Sequence, residues 1–144
     1  MKIGRILVSY DGSEPARKAF HVAVDLAKKY GSQVTAVTCI KEDYTEPGST
    51  TPEELRAEQN SQQLAATRLV SALEIEAGKA GVGFKGLVLK VDSIVDGLLS
   101  YAEANGVDLI VMGSRGIGGF KKLLLGSVAS GVVQYSKCPV LVTK

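Results

Sequence analysis

With one histidine and two cysteines, Cys39 and Cys138, in 144 residues, the chain has too few ligating groups for several chemistries. A zinc pair of histidines, a histidine-based nucleotidyl-transfer motif, a cysteine metal quartet and a disulfide framework are all excluded. An excess of charge of one sign is missing too. The 17 basic and 15 acidic residues leave a net charge of +2, and no Lys/Arg cluster exceeds a pair. That balance speaks against a nucleic-acid footprint. No apolar run approaches the ~18 residues that a bilayer crossing requires. Met1-Lys2-Ile3-Gly4-Arg5 leads directly into an apolar strand, without the pattern of a signal peptide. The expected setting is therefore a reduced cytoplasm, with neither nucleic acid nor membrane as partner. Two phosphate-binding signatures are absent as well: no glycine pair is followed by Lys-Ser or Lys-Thr, and no G-x-G-x-x-G follows the first strand.

What is present is an ordinary globular composition, 45% hydrophobic and 22% charged, of a length that suits one domain over residues 1–144. Short apolar runs at residues 6–8, 34–40, 87–91, 109–112 and 139–143 read as strands. Between them lie helical periods. The first opens at Ser13-Glu14-Pro15 and keeps Ala16, Ala19, Phe20, Ala23, Leu26, Ala27 and Tyr30 on one face, with Gly31 as its stop. The second opens at Thr51-Pro52 after a polar loop; its face is Ala66, Leu69, Val70, Leu73, Ala77 and Ala80, and Gly81 and Gly83 close it. Its early part, residues 58–63, is polar nearly all round. The third spans residues 93–105, and the fourth, residues 127–135, carries Val128, Val132 and Tyr135 on one side.

Strands alternating with helices predict an α/β fold: a single doubly wound, five-stranded parallel sheet of order 3-2-1-4-5, with helices on both faces. In such a sheet the ligand crevice lies beyond the carboxyl ends of strands one and four. Those exits are Tyr10-Asp11-Gly12 and Gly113-Ser114-Arg115-Gly116. The second runs through a glycine-rich loop to a helix start near Ser127. Glycine lets main-chain N–H groups approach a ligand, and a helix start adds unpaired N–H groups and a positive dipole end. Together they predict an anion site, for phosphate.

The spacing at this exit is Gly113, two residues, Gly116, nine residues, then Gly126-Ser127. With Ile6-Leu7-Val8, Asp11-Gly12-Ser13 and the closing Cys138-Pro139-Val140-Leu141-Val142, it resembles the universal stress protein family over nearly the whole length. The resemblance implies an ATP-binding member. By that resemblance Ser9 and Tyr10 border the adenine, Cys39 closes its other side, and Asp11 sits near the ribose and phosphates. Met112 and Gly113 would contact base and ribose, while Arg115, Gly116, Gly126, Ser127 and Val128 line the phosphate path. A divalent cation, Mg or Mn, is a compatible companion of the phosphates. The chain departs from the family pattern at Tyr10, Cys39, Val91-Asp92-Ser93 and Ala129.

Plainer roles stand beside these. Asp11 can cap the turn that follows it, His21 reads as a surface residue, and both cysteines read as small buried hydrophobes. Lys121 and Lys122 either reach a triphosphate or form a solvated pair. For function, the leading expectation is a stress-response regulatory protein that binds ATP, with at most slow hydrolysis. One alternative is a dimeric interaction module without nucleotide. The other is a phosphoryl-accepting receiver, echoed by Asp11, Asp92, Ser114 and Lys144 but leaving the long glycine loop unexplained. The uncharged edge strand at residues 139–143 predicts a homodimer through antiparallel pairing of that strand.

Overall fold

The computed structural model describes residues 1–42, 48, 50–115 and 125–144. Within them the order is β1 (Arg5–Ser9), α1 (Glu14–Tyr30), β2 (Gln33–Lys41), α2 (Pro52–Lys79), β3 (Gly83–Val91), α3 (Ile94–Ala104), β4 (Leu109–Gly113), α4 (Ser127–Tyr135) and β5 (Val140–Thr143). Every strand pairing is parallel, and the sheet order is β3-β2-β1-β4-β5, as the alternating pattern predicts.

Side chains alternate between the two faces of each strand, so register decides which residues share a face. Ile6, Val8, Tyr10, Val34, Ala36, Leu109 and Val111 point to one side and pack with α1 and α2. Leu7, Val37, Ile110 and Met112 point to the other and pack with α3 and α4. Phe20 anchors the first core: it is 1% exposed, and its ring meets Tyr10 and Phe84 edge-on at centroid distances of 6.5 and 6.2 Å. Burying such a ring stabilises the fold by about 2–3 kcal/mol.

Hydroxyl caps begin three of the four helices. Ser13 Oγ accepts from Ala16 N–H at 3.3 Å, Thr51 and Glu54 form a reciprocal capping box, and Ser93 Oγ accepts from Asp96 N–H at 3.2 Å. α4 begins at Gly126, which has no side chain to cap it. α2 runs 28 residues, roughly 42 Å at 1.5 Å per residue, and its buried residues begin only at Ala66. The polar first half therefore lies mostly in solvent, as its composition suggests.

Three details differ from the sequence-based expectation. β3 starts at Gly83, four residues ahead of the expected start at Leu87. Its glycine at 86 admits α2 rather than ending the strand, because a Cβ there would lie 2.9 Å from Val70 Cβ. Tyr30 and Tyr135, expected on buried faces, are exposed. Each is the terminal residue of its helix, with no further turn to hold it against the sheet. Val24, outside the expected face of α1, is buried.

Candidate functional site

β1 and β4 are neighbours, paired Val8 to Val111, so their carboxyl exits lie side by side as the topology requires. At the β1 exit, Gly12 takes φ +83°, a conformation that only glycine adopts at no cost. Asp11 Oδ1 accepts the Ser13 N–H at 2.9 Å, so the capping role read from the sequence is present. The carboxylate is half-exposed.

At the β4 exit a buried serine organises three elements. Ser114, 2% exposed, donates its N–H to Thr143 O of β5 at 2.7 Å and accepts Gly126 N–H on its carbonyl at 2.6 Å. The start of α4 is thereby pinned to the end of β4. The first intrahelical bond of α4 runs from Ser130 N–H to Gly126 O. The amides of Ser127, Val128 and Ala129 precede it and have no acceptor within the helix. They make the local field at this exit positive.

The two described glycines of the motif differ in what holds them. A Cβ on Gly113 would lie 2.7 Å from Pro15 Cβ, 2.8 Å from the Pro15 carbonyl carbon and 3.0 Å from Ala16 N. Glycine at 113 is therefore explained by the approach of α1 alone. Among the described residues, a Cβ on Gly126 would meet only Ser114 O at 3.4 Å and Arg115 Cα at 3.6 Å, and its φ of −69° suits any residue. The packing of the described residues does not require glycine there.

Strand parity sorts the remaining candidates. Ser9, Cys39 and Met112 project to the α3/α4 face at the carboxyl end; Met112 is buried, and Ser9 and Cys39 are half-buried. Tyr10 projects to the opposite face, where its ring packs on Phe20 and it is 5% exposed. What Tyr10 can present at the strand exit is main chain. Its phenol instead helps hold Arg17, whose guanidinium is raised above its ordinary value first by the Tyr10 hydrogen bond and then by Glu76, 2.5 Å away. Arg115 is half-buried beside Ser114, and Ser127 and Val128 form the first turn of α4. Gly116, Lys121 and Lys122 lie outside the described residues.

Burial pushes the Cys39 thiol up to about 11 from an ordinary 9.0. Only the thiolate is nucleophilic, so a two-unit rise cuts the reactive fraction about a hundredfold near neutral to mildly alkaline pH. Alkylation of Cys39 by iodoacetamide at pH 8 is therefore expected to be slow and to accelerate until the pH nears the raised value. Peptide mass spectrometry over a pH series checks this; a rate that levels off near pH 9 would contradict it.

Among the described residues no group of three or more His, Cys, Asp or Glu could hold a metal ion, and no helix is long and apolar enough to cross a membrane. Ser114 enters the sequence reading only as part of the β4 exit and of the receiver alternative, without its role in joining β4, β5 and α4. That role belongs to its N–H and carbonyl, which nearly every residue type carries, so it follows from position in the fold and has no signal in the side chain.

The universal stress protein family model matches residues 2–144. Universal stress protein YxiE of Bacillus subtilis is 32% identical over 146 aligned residues, covering 97% of this chain and 98% of that protein. The solved structure of the hypothetical protein MJ0577 superposes with a TM-score of 0.83 at 29% identity, covering 100% of this chain and 97% of its own. Universal stress protein UspA from Lactobacillus plantarum gives 0.80 at 25% identity, covering 100% and 99%. More distant chains of the same fold were solved with nucleotides. They are a universal stress protein in complex with cAMP (24% identity, TM-score 0.72), one from Archaeoglobus fulgidus with dAMP (22%, 0.71) and one from Arabidopsis thaliana with AMP (17%, 0.70), covering 99%, 100% and 98% of this chain and 98%, 100% and 91% of their own. Matched by the family model from residue 2 to residue 144 and sharing the fold of these structures, the chain belongs to the universal stress protein family.

Proposed function

We propose that the chain binds an adenine nucleotide, ATP, across the carboxyl ends of β1 and β4, and that the bound state regulates assembly or partner binding in a cytoplasmic stress response. The observation that carries this reading is the uncapped start of α4. Main-chain amides of Ser127 and Val128 stand beside Gly126, a glycine that neither its backbone angles nor its neighbours among the described residues require. A helix N-terminus without a side-chain cap, beside a strand exit, suits a phosphate group. The AMP, dAMP and cAMP held by chains of the same fold supply the adenine half of the reading.

In this arrangement Arg115 and the amides of residues 126–128 take the phosphates, with Gly116 as the family signature's other phosphate-side glycine. Asp11 faces the ribose. Ser9, Cys39 and Met112 share the sheet face that borders the base, with Tyr10 and Gly113 contributing main chain. A divalent cation, Mg or Mn, would be held mainly by phosphate oxygens, since the described residues supply no acidic cluster. Among the residues of the two exits Asp11 is the single acid, and it already orders its own turn. We therefore assign the nucleotide a regulatory role, with at most slow hydrolysis. Isothermal titration of the protein with ATP, ADP, AMP and cyclic AMP tests the reading. Saturable heat with ATP at micromolar to millimolar concentration is expected; none from any of the four would overturn it.

The same reading includes a homodimer. β5 is an edge strand paired only to β4, its four residues are half-buried, and it carries no charge. Such an edge invites a second copy. Light scattering at micromolar concentration is expected to give close to twice the 15.1 kDa chain mass, and a monomer mass would contradict it.

A further inference from the structure

We infer that Thr38 is a positioning residue for this nucleotide site, acting through the Tyr10 carbonyl to place Asp11; the inference rests on the nucleotide reading above. Thr38 lies in β2 on the face packed against α1 and α2, and is 6% exposed. Its neighbours on that face, Val34 and Ala36, are apolar core residues. A valine would fill the same space without the cost of burying a hydroxyl, so packing gives no reason for threonine here.

The hydroxyl has one visible task. Thr38 Oγ1 donates to Tyr10 O at 2.8 Å, while Tyr10 N–H donates to Val37 O at 2.9 Å. β1 ends at Ser9, so Tyr10 is the point at which the chain leaves the sheet. A side chain of β2 grips the departing carbonyl at that point and fixes the peptide plane that joins Tyr10 to Asp11.

Two further contacts complete the placement. Gly12 turns through φ +83°, with Leu69 so close that an added Cβ would lie 3.1 Å from its methyl carbon. Ser13 N–H then closes on Asp11 Oδ1 at 2.9 Å. The peptide before it and the turn after it both bear on the direction of the carboxylate. Thr38 controls the first of these without being a candidate to touch a ligand itself.

The test uses the full chain as Thr38→Val and Thr38→Ser. Thr38→Val keeps the shape and removes the donor; Thr38→Ser keeps the donor and removes a methyl. Two readouts are needed, because loss of a buried hydrogen bond can lower stability without any positioning role. The first is amide hydrogen exchange by NMR without ligand. If the hydroxyl orders the exit, Thr38→Val releases the Ser13 amide by about tenfold more than the Ile110 and Val111 amides in β4, since local opening and global unfolding expose different sets. The second is ATP affinity by titration at a temperature where each variant is folded by circular dichroism. A misplaced carboxylate is expected to weaken ATP about tenfold in Thr38→Val, the scale of one good polar contact, and Thr38→Ser is expected to restore both readouts to within about threefold of the parent.

Equal loss of protection at Ser13 and in β4 would overturn the inference, as would unchanged ATP affinity in Thr38→Val. Failure of Thr38→Ser to rescue would overturn it as well. Absence of ATP binding by the unmodified protein would instead identify failure of the nucleotide reading, and would remove this inference with it.

Discussion

Gly126→Leu is expected to leave the protein folded and to abolish ATP binding, lowering affinity by at least about a hundredfold, or some 2.7 kcal/mol. The two halves of this outcome have separate causes. Gly126 has φ −69° and ψ 169°, extended angles that leucine adopts freely, and among the described residues an added Cβ meets nothing closer than 3.4 Å. As the N-cap of α4 it has no side-chain hydrogen bond to lose, and replacing glycine by the poorer N-cap leucine costs about 1 kcal/mol. The new side chain would nevertheless stand in front of the Ser127 and Val128 amides, where the phosphates are proposed to lie. Titration with ATP, paired with a urea unfolding curve, separates the effects. A variant that binds ATP as well as the parent would place the phosphates elsewhere.

The opposite outcome is expected for Gly113→Ala. Here the added methyl would meet Pro15 Cβ at 2.7 Å, the Pro15 carbonyl carbon at 2.8 Å and Ala16 N at 3.0 Å. Two of these atoms are main chain of α1's first turn, and they cannot yield as a flexible side chain would. The turn is also tied down: Ser13 caps it, and Thr143 Oγ1 donates to Pro15 O at 3.2 Å. Overpacking of this kind costs about 1–3 kcal/mol. The urea midpoint of Gly113→Ala is expected to fall accordingly, with any loss of ATP affinity following from displacement of the Asp11–Ser13 turn. An alanine variant as stable as the parent would show that α1 can move away from β4.

These two glycines show how far a motif can be read. Their spacing identifies the exit of β4 and the start of α4, because a parallel sheet with right-handed crossovers leaves little choice of topology. The spacing does not separate a glycine that admits a helix from one that leaves room for a ligand. That distinction depends on Pro15 and Ala16, about a hundred residues earlier in the chain. Gly86 belongs with the first kind: it lies within β3, where Val70 of α2 takes the space a side chain would fill.

Strand alternation, helix caps and the glycine signature were thus sufficient for the α/β class, the 3-2-1-4-5 order and the adjacency of the β1 and β4 exits. All three depend on local periodicity and on general rules of connection, which a linear chain displays openly. Tertiary structure alone decided which face each candidate occupies. It turned the Tyr10 ring inward against Phe20 while Ser9, Cys39 and Met112 share the other side, and it brought the Thr38 hydroxyl of β2 to the Tyr10 carbonyl of β1. The physical reason is register: shifting a strand by one residue against its neighbour exchanges its two faces, and register is set by contacts between segments distant in the chain.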